Sequence, residues 1–101
     1  MLTRSRILYL ATSEAEPEWD DEYNRWYDED HLPALCGVPG VICGRIFKAI
    51  EGPPRHMANY DLVEPAVQAS EAWNNAASRP WTMRMRRLVP DRWRVVYRPI
   101  G

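Results

Sequence analysis

Phenylalanine occurs once, at Phe47, in a chain with five tryptophans and five tyrosines. Its aromatic surface therefore carries polar handles, which suits a wall that must pack and hydrogen-bond at once, in a ligand site or an interface. Core filling at a subunit seam would use the same residues. Histidine is limited to His31 and His56, and cysteine to Cys36 and Cys43. Their spacing gives neither a disulfide framework nor a metal-ligand motif, so no metal is expected. Both cysteines read as small buried hydrophobes. No run approaches the roughly 18 apolar residues of a membrane span. Met1 to Arg6 lacks the hydrophobic region of a signal peptide, so a cytoplasmic location with reduced thiols is expected. There is no Gly-rich phosphate loop, no nucleophile elbow and no Cys–His arrangement for covalent catalysis. A formal charge of −1 provides no field for nucleic acid or an anionic membrane, and neither is an expected partner.

With 46% hydrophobic and 27% charged residues, the 101-residue chain has the composition of one folded domain, spanning 1–101, with a modest core. Charge is segregated along it. Acids run from Glu14 to Asp30; Arg79, Arg84, Arg86, Arg87, Arg92, Arg94 and Arg98 crowd the last quarter. Such segments are expected to face each other, within a subunit or across a dimer.

In chain order, Arg6 to Thr12 reads as a strand apolar on both faces. Pro17 suits a first helical turn, and the acids at 18 and 20–22 follow at the favourable end of the macrodipole. This helix reaches about His31, where Pro33 forces a break or kink. A further turn through Cys36 precedes Gly37, which suits a C-cap. Val38-Pro39-Gly40 is a turn, Val41 to Ile50 a second strand, and Glu51 to His56 a Pro-rich loop. On the second strand Val41, Cys43, Arg45, Phe47 and Ala49 share one side. Met57 to Val63 is a third strand, with Ala58, Tyr60 and Leu62 alternating against Asn59 and Asp61. One helix is expected from Pro65 to Ala77, then a short one from Thr82 to Leu88, stopped by Pro90. Trp93 to Arg98 is the last strand. This βαββαβ order is the ferredoxin-like split arrangement, class α+β, with a four-stranded antiparallel sheet. Its helix-free face would be strongly apolar, which calls for a homodimer that pairs two sheets.

The stretch Glu22 to Pro33 concentrates the candidate chemistry. At about 100° per residue, Tyr23, Tyr27 and His31 fall on one helix face, flanked by Trp19, Trp26 and Asp30. His31 has an unperturbed pKa suited to acid–base work; alternatively it fixes the helix end by bonding a carbonyl that Pro33 frees. Tyr23 and Tyr27 can orient a substrate oxygen or simply fill space, and Trp26 is pocket wall or core. Asp30 would be costly on this face unless paired, with Arg45 or Arg94 as partners. Arg45, on an otherwise apolar strand face, is a natural carboxylate or enolate clamp if it faces the lumen. Tyr60 joins the substrate-binding set. His56, alone in its loop, reads as surface decoration.

Tyr23-Asn24-x-Trp26-Tyr27-Asp28-x-x-His31-x-Pro33, followed by Val38-Pro39-Gly40-Val41, resembles the dimeric α+β barrel superfamily, and within it the EthD-like small bacterial proteins. Their first helix carries a W-Y-x-x-x-H-x-P signature and a "PG-apolar" turn opens their second strand. The resemblance implies a histidine at the mouth of a pocket between helix and sheet, often in an acid–base role. Relatives of the fold include muconolactone-type isomerases, polyketide cyclases, cofactor-free monooxygenases and several haem proteins, so fold alone does not assign a reaction. The expected activity is cofactor-free proton transfer, of isomerase, lyase or cyclase type, on a hydrophobic oxygenated cyclic or aromatic small molecule. The alternatives are a non-catalytic binding or accessory protein, and a cofactor-free monooxygenase or haem enzyme using His31 as axial ligand.

Overall fold

A computed structural model describes residues 7–89 and 92–100. The expected strand start at Arg6 and stop at Pro90 lie outside them. Four strands, β1 (Ile7–Ser13), β2 (Val41–Lys48), β3 (His56–Leu62) and β4 (Arg92–Tyr97), form one sheet in the order β2-β3-β1-β4. All pairings are antiparallel. Strand order and intervening helices make this the ferredoxin-like α+β fold expected from the sequence.

Cross-strand partners share a face, so the register sorts the side chains. Tyr9 stands opposite Tyr60 and Val96, Ala11 opposite Ala58 and Arg94, and Ser13 opposite His56 and Arg92. This face meets the helices and buries Ile7, Tyr9, Ala58, Tyr60 and Leu62. The other face carries Leu10, Phe47, Met57, Trp93, Val95 and Tyr97, with Phe47 42%, Trp93 55%, Val95 43% and Tyr97 49% exposed.

On β2 strict alternation fails. A bulge between Val41 and Cys43 lets Val41 and Ile46 pack on the core while Cys43, Arg45 and Phe47 take the helix-free face. Cys43 is consequently exposed, as is Cys36 at the end of its helix, so neither is the buried hydrophobe expected. The turn before β2 closes through Val41 N–H to Val38 O at 3.1 Å. Gly40 has φ 95°, and a Cβ there would stand 2.5 Å from Val67 Cγ2, so glycine is required on both counts.

The helix expected from Pro65 to Ala77 is two pieces: a 3₁₀ segment (Pro65–Ala69) and α3 (Glu71–Ala76). Ser70 separates them with extended backbone, and its hydroxyl accepts from Trp73 N–H at 3.1 Å. The N-cap outweighs the alanine periodicity. Charge segregation is resolved within the subunit: Arg84 grips Glu22 at 2.8 Å, and Arg79 holds Asp30 at 2.9 Å. Asp30 is thus a salt-bridge member, but its partner is Arg79, not Arg45 or Arg94.

Candidate functional site

The first helical region runs from a 3₁₀ turn (Pro17–Trp19) through α1 (Asp20–Trp26), a π-helical turn (Tyr27–His31) and α2 (Leu32–Cys36). Pro33 has no N–H to return to residue 29, and Leu32 N–H instead reaches Tyr27 O, five residues back. The break expected at Pro33 therefore takes the form of a widened turn. In a regular α-helix, position i+5 lies about 140° from i. The wider turn brings it nearly overhead, and His31 stacks on Trp26 with centroids 4.4 Å apart and planes 22° off parallel. Tyr27 meets the imidazole edge-on at 5.2 Å, and Tyr23 lies 5.1 Å from Tyr27.

Against this helix packs α4 (Pro80–Leu88). Thr82 is buried there: Trp26 Nε1–H donates to its Oγ1 at 3.0 Å, and the same oxygen lies 3.2 Å from His31 Nδ1. With the indole donating, the Thr82 hydrogen is available to Nδ1, and rotation of the hydroxyl lets it accept from Nδ1–H instead. Either neutral tautomer of His31 is accommodated. Among the described residues Nε2 has no hydrogen-bond partner.

The space beside these groups is a cavity of about 70 Å³, enclosed by helices and sheet. Tyr9, Tyr60 and Trp73 form its aromatic floor, with Trp73 edge-on to Tyr9 at 5.0 Å and to Tyr60 at 5.5 Å. Tyr23 bonds Ser13, so its phenol is satisfied. Tyr60 is 1% exposed, and among the described residues its hydroxyl has no partner. Burial pushes the Tyr27 phenol well above its ordinary range and raises Tyr60 as well, so both are neutral donors. His31 is pulled down to about 4, first by burial and then by the Arg86 charge, while Asp30 opposes. At neutral pH it is an uncharged imidazole.

The structure thus gathers His31, Tyr23, Trp26, Tyr27 and Tyr60 around one cavity. It does not bring Arg45 to them. Arg45 faces away, opposite Asn59 on the helix-free side, because the β2 bulge fixes that register. His56 is no surface group: it opens β3, is 1% exposed, lies 4.2 Å from the Tyr23 ring, and has Asp20 3.3 Å from Nε2. The sequence reading missed Thr82, Tyr9 and Arg86, which also line the cavity. Of the signals available, only the two-residue alternation of Arg92 and Arg94 around Trp93 would have added a cavity group. The cavity is well below the roughly 300 Å³ of a drug-sized site, and a porphyrin does not fit it. Among the described residues no cluster of His, Cys, Asp and Glu is placed to hold a metal ion, and no helix is long and apolar enough to cross a membrane.

No protein-family model and no curated protein sequence matches this chain. Solved structures do. A NIPSNAP family protein of Agrobacterium tumefaciens superposes with TM-score 0.76 at 13% identity, covering 100% of this chain and 91% of that one. An antibiotic biosynthesis monooxygenase gives 0.72 at 14% identity, covering 94% and 99%. An EthD family protein of Bacillus halodurans gives 0.62 at 11% identity, covering 94% and 99%. At such identities the likeness is one of fold, and at that level it agrees with the EthD-like resemblance read from Tyr23 to Val41: the chain has the α+β fold shared by EthD-type and antibiotic-monooxygenase-type proteins.

Proposed function

We propose that the chain is a cofactor-free enzyme that moves a proton on a compact oxygenated molecule held in the aromatic cavity. The supporting observation is the Trp26–Thr82–His31 arrangement. It fixes a neutral imidazole by Nδ1, serves either tautomer, and leaves Nε2 for the cavity. In the forward step the bond between hydrogen and the carbon beside a carbonyl breaks. The proton goes to Nε2, and the electron pair moves onto the carbonyl oxygen, which Tyr60 O–H stabilises as a hydrogen-bond donor. Return of the proton to another carbon gives isomerisation; loss of a leaving group gives lyase chemistry. Tyr23, Tyr27 and Trp26 shape the wall. Arg45 has no part in this site. The cavity volume favours, among the cyclic or aromatic oxygenated molecules expected and smaller ones, those of a few non-hydrogen atoms.

The cavity volume also favours a second reading, in which the pocket only binds a small molecule or supports the fold. Likeness to an antibiotic biosynthesis monooxygenase supports a third, oxygenation that begins with the same deprotonation. We further propose that the apolar sheet face, with Phe47, Trp93, Val95 and Tyr97 exposed, covers itself by pairing with a second copy. The deciding experiment follows hydrogen–deuterium exchange by NMR at carbon next to the carbonyl of small ketones and 2-oxo acids in D₂O. Exchange accelerated by the wild type and abolished in a folded His31→Asn variant supports proton transfer. Equal exchange in both overturns His31's role. Saturable binding without exchange leaves the binding reading.

A further inference from the structure

Resting on the proton-transfer reading, we propose that the molecule handled in this cavity is a compact carboxylate. Its anionic group is held by Arg86, Arg92 and Arg94 at the rim, while its carbonyl oxygen meets the unpartnered hydroxyl of Tyr60. The three arginines come from two elements, β4 and α4. Arg92 and Arg94 stand opposite Ser13 and Ala11, which puts both on the helix side of β4, about 7 Å apart. Arg86 approaches from α4, braced by a bond from Nη2 to Ala77 O at 2.8 Å. All three line the cavity beside Tyr9.

Among the described residues, none of these guanidinium groups has a carboxylate partner. The nearby acids are already taken, Glu22 by Arg84 and Asp30 by Arg79. Burial and the two neighbouring charges make the protonated Arg86 less favourable, the signature of positive charge gathered without compensation. Arg92 and Arg94 are exposed, so a ligand reaches them from solvent. Tyr60 supplies the second, independent mark: a side chain 1% exposed whose hydroxyl finds no partner among the described residues. Buried polar groups are almost always satisfied, and an orphan donor on a cavity wall is completed by what enters the cavity. A planar carboxylate matches the two-pronged donors of arginine, and a neighbouring carbonyl would lie deeper, towards Tyr60 and His31. Gathered positive charge also assists the chemistry, since an enolate forming beside it is stabilised.

The test uses the full-length protein and titrates 2-oxobutyrate, its uncharged counterpart 2-butanone, and inorganic phosphate, reading the tryptophan indole N–H signals by NMR. The expected result is saturable movement of the Trp26 and Trp73 signals by 2-oxobutyrate, with affinity at least tenfold above that of 2-butanone. Binding should weaken at least tenfold in the folded Arg92→Gln/Arg94→Gln double variant. Equal response to the ketone, tighter response to phosphate, or an unaffected double variant would each overturn the assignment. A double variant that changes subunit dissociation but not the 2-oxobutyrate response would assign the arginines to a second copy and also overturn it. Because binding is read directly, the outcome is separate from His31's role. His31→Asn that binds 2-oxobutyrate yet exchanges no proton upholds both proposals. Arginine-independent binding with His31-dependent exchange sinks only this one.

Discussion

His31 makes stability depend on pH in a window where few other groups titrate. Unfolded, its imidazole protonates near pH 6.5; folded, burial and the charges of Arg86 and Arg92 hold it down to about 4, against a smaller opposing pull from Asp30. Below 6.5 the unfolded chain therefore binds a proton that the folded chain refuses. The stability contribution is complete above that value and is lost as pH falls towards 4. At ~1.4 kcal/mol per unit the full loss is about 3 kcal/mol, of which about 2 kcal/mol falls between pH 7 and 5. For a domain of this size that lowers Tm on the order of 10 °C. His56, also held down by burial, adds a loss of the same sign. Glu22 and Asp20 act lower. Hydrogen bonds from Arg84 hold Glu22 below its usual range; in Asp20, burial works upward but is outweighed by bonds from Arg55 and Lys48. Both contribute stability that disappears only below the ordinary carboxylate range. Urea unfolding at pH 7, 6 and 5, at fixed ionic strength, isolates the imidazoles. His31→Asn keeps an acceptor for Thr82 and removes the titration, so the variant should lose about 2 kcal/mol less than the wild type across this range. Parallel loss in both proteins would refute the assignment of a depressed, buried His31.

The same depression predicts that kcat/KM for exchange stays level from pH 8 to about 5.5, and a fall centred near 6.5 in pH-rate measurements would contradict it. Thr82→Val should cost about 1–3 kcal/mol in urea titrations, because it strands Trp26 Nε1–H and His31 Nδ1 in a buried setting. In Gly44→Ala the new Cβ would stand 2.8 Å from Tyr60 Cδ1 and 2.9 Å from Leu32 Cδ1. Overpacking of that kind should lower stability by about 1–3 kcal/mol, measured by thermal unfolding. Val95→Asp places a charge on the helix-free sheet face; sedimentation should show a dimer for the wild type and a monomer for the variant, and unchanged association would remove that face from the proposed interface.

Element order was legible because its punctuation is local. Pro17, the Pro39-Gly40 turn and the alternation of Ala58, Tyr60 and Leu62 each act within a few residues. Two local signals were outweighed by others equally local. The alanines of 66–76 suggested one helix, yet Ser70 bonding Trp73 N–H divides it. The bulge at Val41 has no composition signature, and it sends Arg45 away from the pocket. His56 was misjudged for another reason: Asp20 and the Tyr23 ring, which bury it, are 36 and 33 positions away in the chain. Distant partners leave no pattern in their immediate neighbours.

The π-helical turn shows how far local rules reach into the site. A wheel drawn at 100° per residue put Tyr27 and His31 on one face and Trp26 beside them, and these three rings do meet. It could not produce the face-to-face stack of Trp26 on His31, because that contact needs a five-residue repeat. The repeat follows from Pro33, whose missing N–H removes the hydrogen bond that would have kept the turn at 3.6 residues. The signature of tryptophan, histidine five residues on and proline two beyond that is therefore one mechanical unit. Proline widens the turn, the widened turn stacks imidazole on indole, and the indole N–H and imidazole Nδ1 then converge on Thr82 Oγ1. Alanine at Pro33 would restore the donor and the regular repeat. The stack would open, Thr82 would lose one of its two partners, and Nε2 would swing from its present aim, so removal of a residue with no chemistry of its own should disable the site as surely as removal of His31.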